Sequence, residues 1–220
     1  MEMHVRHLSN EIGPRHAGAP ESILATLDYL ETSWTLDGIG PTRHRFGPEK
    51  EDFFNVELTL PGTDLAHEWV IIGAHYDTEP QTPGANDNAS GVAVLLELGR
   101  RLHKGRFRRS VRLVAFANEE HPWGMTENMG SVAYARRCYQ RGEEIYAMLS
   151  LDSVGYFNDQ VDSQRYPEPL GLYYGRKGDY LALVGDWSSA WLVRRSIRAF
   201  RNSTTLPSEG SALPRMFRDI

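Results

Sequence analysis

The chain has 220 residues, 24 Lys and Arg against 29 Asp and Glu, a net charge of −5 and 40% hydrophobic residues, the make-up of a soluble globular polypeptide with one large domain or two small ones. An acidic balance spread along the whole sequence argues against nucleic-acid backbone binding, and no apolar run approaches the ~20 residues of a membrane span. With Cys138 as the single cysteine there is no disulfide or thiolate cage, so any metal site must be built from His, Asp and Glu. The polar N-terminal stretch MEMHVRHLSNEIGPRH lacks the apolar core of a secretory signal and predicts a cytoplasmic protein, or a secreted one if a leader has been removed.

In chain order, Ile23, Leu24, Leu27, Leu30 and Trp34 recur at helical spacing and predict an amphipathic helix over Glu21–Trp34, ended by the Gly38–Gly40 region. Phe54, Val56, Leu58 and Leu60 alternate with polar residues, PGTD turns the chain, and Trp69–Ala74 follows as an almost unbroken apolar run. These read as two neighbouring strands, the second one central. Asn86-Asp87-Asn88 then caps a helix whose apolar stripe runs through Val92, Leu95, Leu96, Gly99 and Leu102. Val111–Ala117 reads as a buried strand, Ser131–Arg141 as a helix and Ile145–Leu151 as a further strand. Leu170–Tyr174 and Tyr180–Val184 follow as short strands, and Ala190–Phe200 as a helix. With no repeat, low-complexity tract or evident linker, the alternation predicts a single α/β domain over residues 1–220, a largely parallel sheet covered by helices.

In such sheets ligands bind beyond the carboxyl ends of the strands. The residues placed there are ionisable: His75-Tyr76-Asp77 after one strand, Asn118-Glu119-Glu120 after the next, Asp152 after a third, with Asp87 at the start of the first crossover helix. Singly, each has a bland explanation as a hydrogen-bonded loop residue, a helix cap or a solvated pair. Together they would crowd like charges onto one sheet edge unless something positive were held among them. His75, Asp87, Glu120 and Asp152 are the nitrogen and oxygen donors that suit zinc, cobalt or manganese. Asp77, two residues from His75, is placed to accept the second imidazole N–H, and Asp87 has two oxygens with which to bridge two ions. Glu119 and Glu120 project differently, so one can hold metal while the other accepts a proton from metal-bound water. Cys138 and Ser90 lack the partners of a nucleophile, and there is no phosphate loop.

The segments VIIGAHYDT, GANDNASGVAVLLELGR, VRLVAFANEE, MGSVAYARR and MLSLDSVGY closely resemble the zinc-dependent aminopeptidases of the aminopeptidase Y and aminopeptidase S type. That family is related to glutamate carboxypeptidase, glutaminyl cyclase and the transferrin receptor ectodomain. The resemblance runs over about residues 10–215 and rests on the ordered series HxD, NDNASG, NEE and LD. It implies a three-layer fold with a mixed, mostly parallel sheet between helices. It implies two zinc ions bridged by Asp87, with His75 and Asp152 on one and Glu120 on the other, and Glu119 as general base in the removal of N-terminal residues from peptides. A cis peptide between Asp87 and Asn88 is implied as well.

The family's fifth ligand is a histidine, usually in a Ser-Asp-His segment beyond a stretch like LPSEGSALPRMF. All eight histidines here lie at or before His121, and the sequence ends at Ile220. The domain therefore reads as C-terminally incomplete, lacking its last strand and helix. One zinc or none is expected on this chain, bound on the His75 side, with little activity and some tendency to homo-oligomerise through the uncovered sheet. Two other functions fit the scaffold: a single-zinc, glutaminyl-cyclase-like acyltransferase, and a non-catalytic binding domain. His75 beside Asp77 and the four retained ligands favour the peptidase. A peptide is thus the expected partner, and neither nucleic acid nor membrane is. Substrate-pocket candidates are the loops His121–Asn128 and Phe157–Pro169, with Trp123, Met125, Phe157 and Tyr166.

Overall fold

A computed structural model describes residues 1–49, 51–165 and 175–213. It opens with a short helix, α1 (Glu2–Arg6), that runs into a wider π-helical turn over His7–Ile12. The amphipathic helix α2 (Pro20–Trp34) follows, with Pro20 in its first turn, where the missing N–H costs nothing. The strands β1 (Thr42–Phe46), β2 (Phe53–Leu60), β3 (Leu65–His75), β4 (Arg109–Phe116) and β5 (Glu144–Ser150) form one sheet in the order β1-β2-β4-β3-β5. Helix α3 (Ala89–Leu102) joins β3 to β4, and α4 (Gly130–Gln140) joins β4 to β5.

The sheet is mixed, as the resemblance implies. β1 to β2 and β2 to β4 are antiparallel, whereas β3 is parallel to both β4 and β5. The expectation that β2 and β3 are neighbours is corrected: β4 lies between them. The PGTD turn makes the two strands adjacent in sequence, but Val111 to Ala115 pair with β2 on one side and with β3 on the other, which buries β4 on both edges. β3 is interior, as expected.

Alternation along β4 divides the core. Leu113 and Ala115 join the larger cluster with Leu27, Leu30 and Trp34 of α2 and Val92, Leu95 and Leu96 of α3. Val114 and Phe116 point the other way, to Ile71, Tyr134 and Cys138, where α4 covers the sheet. This two-faced burial explains why Leu113–Ala117 is unbroken in its apolar character rather than alternating.

Contacts divide the chain into two compact units, Met1–Gly155 and Tyr156–Ile220. In the second, β6 (Leu181–Asp186) and β7 (Ser208–Leu213) pair in parallel and are connected by α5 (Ala190–Ser203). Gly185 and Gly210 allow this helix its close approach, since a Cβ at either would come within 2.8 Å of Val193 or Ile197. β1, β7 and the N-terminal helix were not expected from the sequence. The strand expected at Leu170–Tyr174 lies outside the described residues. No helix among the described residues is long and apolar enough to cross a membrane.

Candidate metal centre

The parallel trio β4, β3 and β5 ends at one edge. His75 pairs with Phe116, Gly73 pairs with Ser150, and the Leu151 amide donates to the Gly73 carbonyl. The residues just past these positions, 75–77, 118–120 and 152, are therefore delivered side by side. All of them, with Asp87, belong to the first unit.

His75 is the buried centre, only 5% exposed. Its Nε2 lies 3.1 Å from Asp87 Oδ1, 3.8 Å from Asp152 Oδ1 and 3.9 Å from Glu119 Oε2, and its Nδ1 is 3.5 Å from Asp77 Oδ1. Burial opposes charge on the imidazole, yet the carboxylates of Asp152, Asp77 and Asp87 push its pKa up to about 12. Asp152 in turn is held below its ordinary value, chiefly by His75. Glu119 is raised, mainly by burial, and Glu120 is pushed up to about 7 by burial and by the nearby Asp87. Among the described residues no Lys or Arg forms a salt bridge with Asp87, Glu119, Glu120 or Asp152. The field at this edge is strongly negative and calls for a cation.

The donor set fits one. Both ring nitrogens of His75 are buried without a hydrogen-bond partner. Ligand atoms of His75, Asp87 and Asp152 lie within 4.8 Å of one another, and so do those of His75, Glu119 and Glu120. The first set is the one expected on the His75 side. In the second, Glu120 is grouped with His75 and Glu119 rather than with Asp87.

Local chemistry explains how these groups are held. Asp77 is turned inward, and its two oxygens accept the backbone amides of Glu119 at 3.1 Å and Glu120 at 3.0 Å. Asn118, with φ 59°, takes the left-handed turn that swings the chain out of β4, and its side-chain amide donates to the Asn128 carbonyl. On the other side, Asn88 Oδ1 accepts from Gly91 in the first turn of α3 and from Ser153, while Nδ2 donates to the Leu151 carbonyl. Ser90 and Asn86 accept from Val154 and Gly155. The polar residues of NDNASG thus staple the Asp152 segment to the start of α3, beside Asp87. Gly91 leaves room for the staple, because a Cβ there would meet Asn88 Oδ1 and sit 2.6 Å from the Leu151 carbonyl. The Asp87–Asn88 peptide is cis, as expected, and a second cis bond joins His121 to Pro122.

The pocket candidates differ in their local surroundings. Trp123 packs edge-on against Phe53, with ring centroids 5.3 Å apart, while Met125 is exposed. Phe157 is exposed in the second unit, and Tyr166 lies outside the described residues. Sequence reasoning missed the second job of Asp77 and the asparagine staple. The motif spacing located those residues but not their hydrogen bonds.

Over 215 residues the chain is 32% identical to the uncharacterized protein YfbL of Escherichia coli, an alignment covering 94% of this chain and 65% of that protein. It is 32% identical over 129 residues to the probable leucine aminopeptidase of Arthroderma otae, covering 54% of this chain and 32% of that one. The chain thus spans less than two thirds of the length of these relatives. Among solved structures, the Legionella pneumophila LapA aminopeptidase matches with a TM-score of 0.67 at 18% identity, over 97% of this chain and 54% of that one. An Acidobacteriales bacterium glutaminyl cyclase matches with a TM-score of 0.68 at 20% identity, over 96% and 72% of the two chains. These likenesses show a shared fold. The pattern of peptidase family M28 matches residues 55–176, more than half of the sequence and the span that holds every residue of the centre described above, so the chain belongs to peptidase family M28.

Proposed function

We propose that this chain carries the metal centre of a zinc-dependent aminopeptidase, in which His75, Asp87 and Asp152 hold one ion and Glu120, with a share of Asp87, a weaker second one. The observation that carries this reading is the buried imidazole of His75, whose ring nitrogens lack a hydrogen-bond partner, set among the carboxylates of Asp87, Glu119 and Asp152, with which no Lys or Arg among the described residues forms a salt bridge. Zinc, when bound, supplies a Lewis acid that polarises a carbonyl and lowers the pKa of water. Glu119 is the general base: its Oε2 accepts a proton from the attacking water and returns it to the departing amine. Asp77 is a positioning residue that fixes the Glu119-Glu120 backbone and faces Nδ1 of His75. Exopeptidase rather than endopeptidase action, and the free N-terminus as the recognised group, follow from the sequence resemblance and from the relatives named as aminopeptidases. Residues 1–220 are read as one metallopeptidase-like domain.

The test is turnover by the full gene product carrying this chain, with and without zinc, on aminoacyl anilides, on the same anilides with acetylated N-termini, and on a peptide beginning with glutamine. Zinc-dependent hydrolysis confined to the free N-termini is the expected result. Cyclisation of the glutaminyl peptide without anilide hydrolysis would replace the reading with the acyltransferase. Zinc binding without any turnover would leave a binding domain.

A further inference from the structure

Arg15 is fully buried, although it lies in a turn-rich stretch and is neither a metal donor nor part of any recognised motif. Among the described residues its guanidinium makes no ion pair at hydrogen-bonding distance. It donates instead to five backbone carbonyls: Nε to Tyr76 at 2.8 Å, Nη1 to Leu8, Gly13 and Pro83 at 2.8, 2.8 and 2.9 Å, and Nη2 to Gly84 at 3.2 Å. Its own backbone closes a further link, with its N–H donating to Thr78 Oγ1 and its carbonyl accepting the Thr78 N–H.

Two of those carbonyls matter for the centre. That of Tyr76 lies between His75 and Asp77. That of Gly84 also accepts the Ala89 amide, and so ties Arg15 to the first residue of α3, two positions after Asp87. Gly84 has φ +60°, and a Cβ on it would press on Thr78, the Asp87 carbonyl and Arg15 Nη2, so the loop is closed tightly around the guanidinium. A buried charge spread over five carbonyls needs its planar fork of donors, which an ammonium group cannot supply.

We infer that Arg15 is a positioning residue for the metal centre: through the Tyr76 and Gly84 carbonyls it fixes the distance between the His75–Asp77 strand end and Asp87, so that metal affinity depends on a side chain that never touches the ion. The inference rests on the metal centre proposed above.

The experiment is zinc affinity of the full chain, read by competition with a chromophoric chelator, together with the visible absorption of the cobalt-substituted protein. Wild type, Arg15→Lys, Arg15→Met and Leu30→Ala are compared, each checked for native circular dichroism. Leu30→Ala removes a buried side chain of α2 and controls for general loss of stability. Zinc affinity is expected to fall about 10–100-fold in both Arg15 variants, with an altered cobalt spectrum, and to hold in Leu30→Ala. Arg15→Lys, which keeps the charge and the stem, decides the matter if Arg15→Met does not fold. Affinity within twofold of wild type with an unchanged spectrum, or an equal loss in Leu30→Ala, would overturn this inference while the metal centre stands. A wild-type chain that binds no zinc would overturn both.

Discussion

Asp77 satisfies two neighbouring backbone amides and faces an imidazole, so replacing one of its oxygens with an NH₂ sets donor against donor. Asp77→Asn is therefore expected to lower metal affinity about 10–100-fold without removing a ligand, as a chelator competition would show. The two glutamates should separate. Glu119→Gln keeps the ligand set but loses the base, so aminoacyl-anilide hydrolysis by the full gene product should fall about 10²–10⁴-fold at unchanged metal content. Glu120→Gln should lower metal content instead, and identical behaviour of the two variants in both assays would refute the division. At this scale the sequence was informative because a parallel strand deposits its next residues at a fixed edge. His75, Asp77, Glu119, Glu120 and Asp152 each lie within three residues of the end of an apolar run. Arg15 was not legible, since nothing in IGPRHAGAP shows that a guanidinium will be swallowed by five carbonyls distributed over some 76 residues of chain.

On the sheet face under α4, β2 and β4 bring ionised groups into the interior. Glu57 accepts the Tyr134 hydroxyl at 2.6 Å and lies 3.5 Å from Arg112 and 3.4 Å from His44, with Arg137 at 3.7 Å. Arg112 also stacks 3.6 Å over the Trp69 ring and pairs with Glu143. Burial alone would raise the Glu57 pKa, but His44, Tyr134, Thr59 and Arg112 overcome it and hold the carboxyl at about 2, against an ordinary 4.5. A depressed carboxylate stabilises the fold above the unfolded-state value and loses that contribution as pH falls toward the folded-state value. Removing the phenolic donor in Tyr134→Phe should cost about 1.5–3 kcal/mol near neutral pH by chemical denaturation. That difference should shrink as the pH is lowered from about 4.5 to 2. A difference constant over that window would show that Glu57 is not the partner that matters. Periodicity disclosed α2, α3, α4, α5 and β2 to β6 within a few residues. β1, with its TRHRF sequence, has too little apolar alternation to register, and SEGSAL of β7 is small and polar. The insertion of β4 between β2 and β3 is a non-local pairing that no local pattern encodes.

For the molecule as a whole, the first unit is built so that three parallel strand ends, one helix start and two hydrogen-bonded staples converge on a single buried imidazole. Both candidate donor groups among the described residues share His75, and one Nε2 can serve only one ion. Residues 1–220 are therefore expected to hold one zinc tightly, through His75, Asp87 and Asp152. Zinc bound per chain after gel filtration, measured by inductively coupled plasma mass spectrometry on wild type, Asp87→Asn and Glu119→Gln, tests it most directly. About one equivalent is expected for wild type and Glu119→Gln, with loss of the metal in Asp87→Asn. No retained zinc in wild type, or retention unaffected by Asp87→Asn, would contradict it.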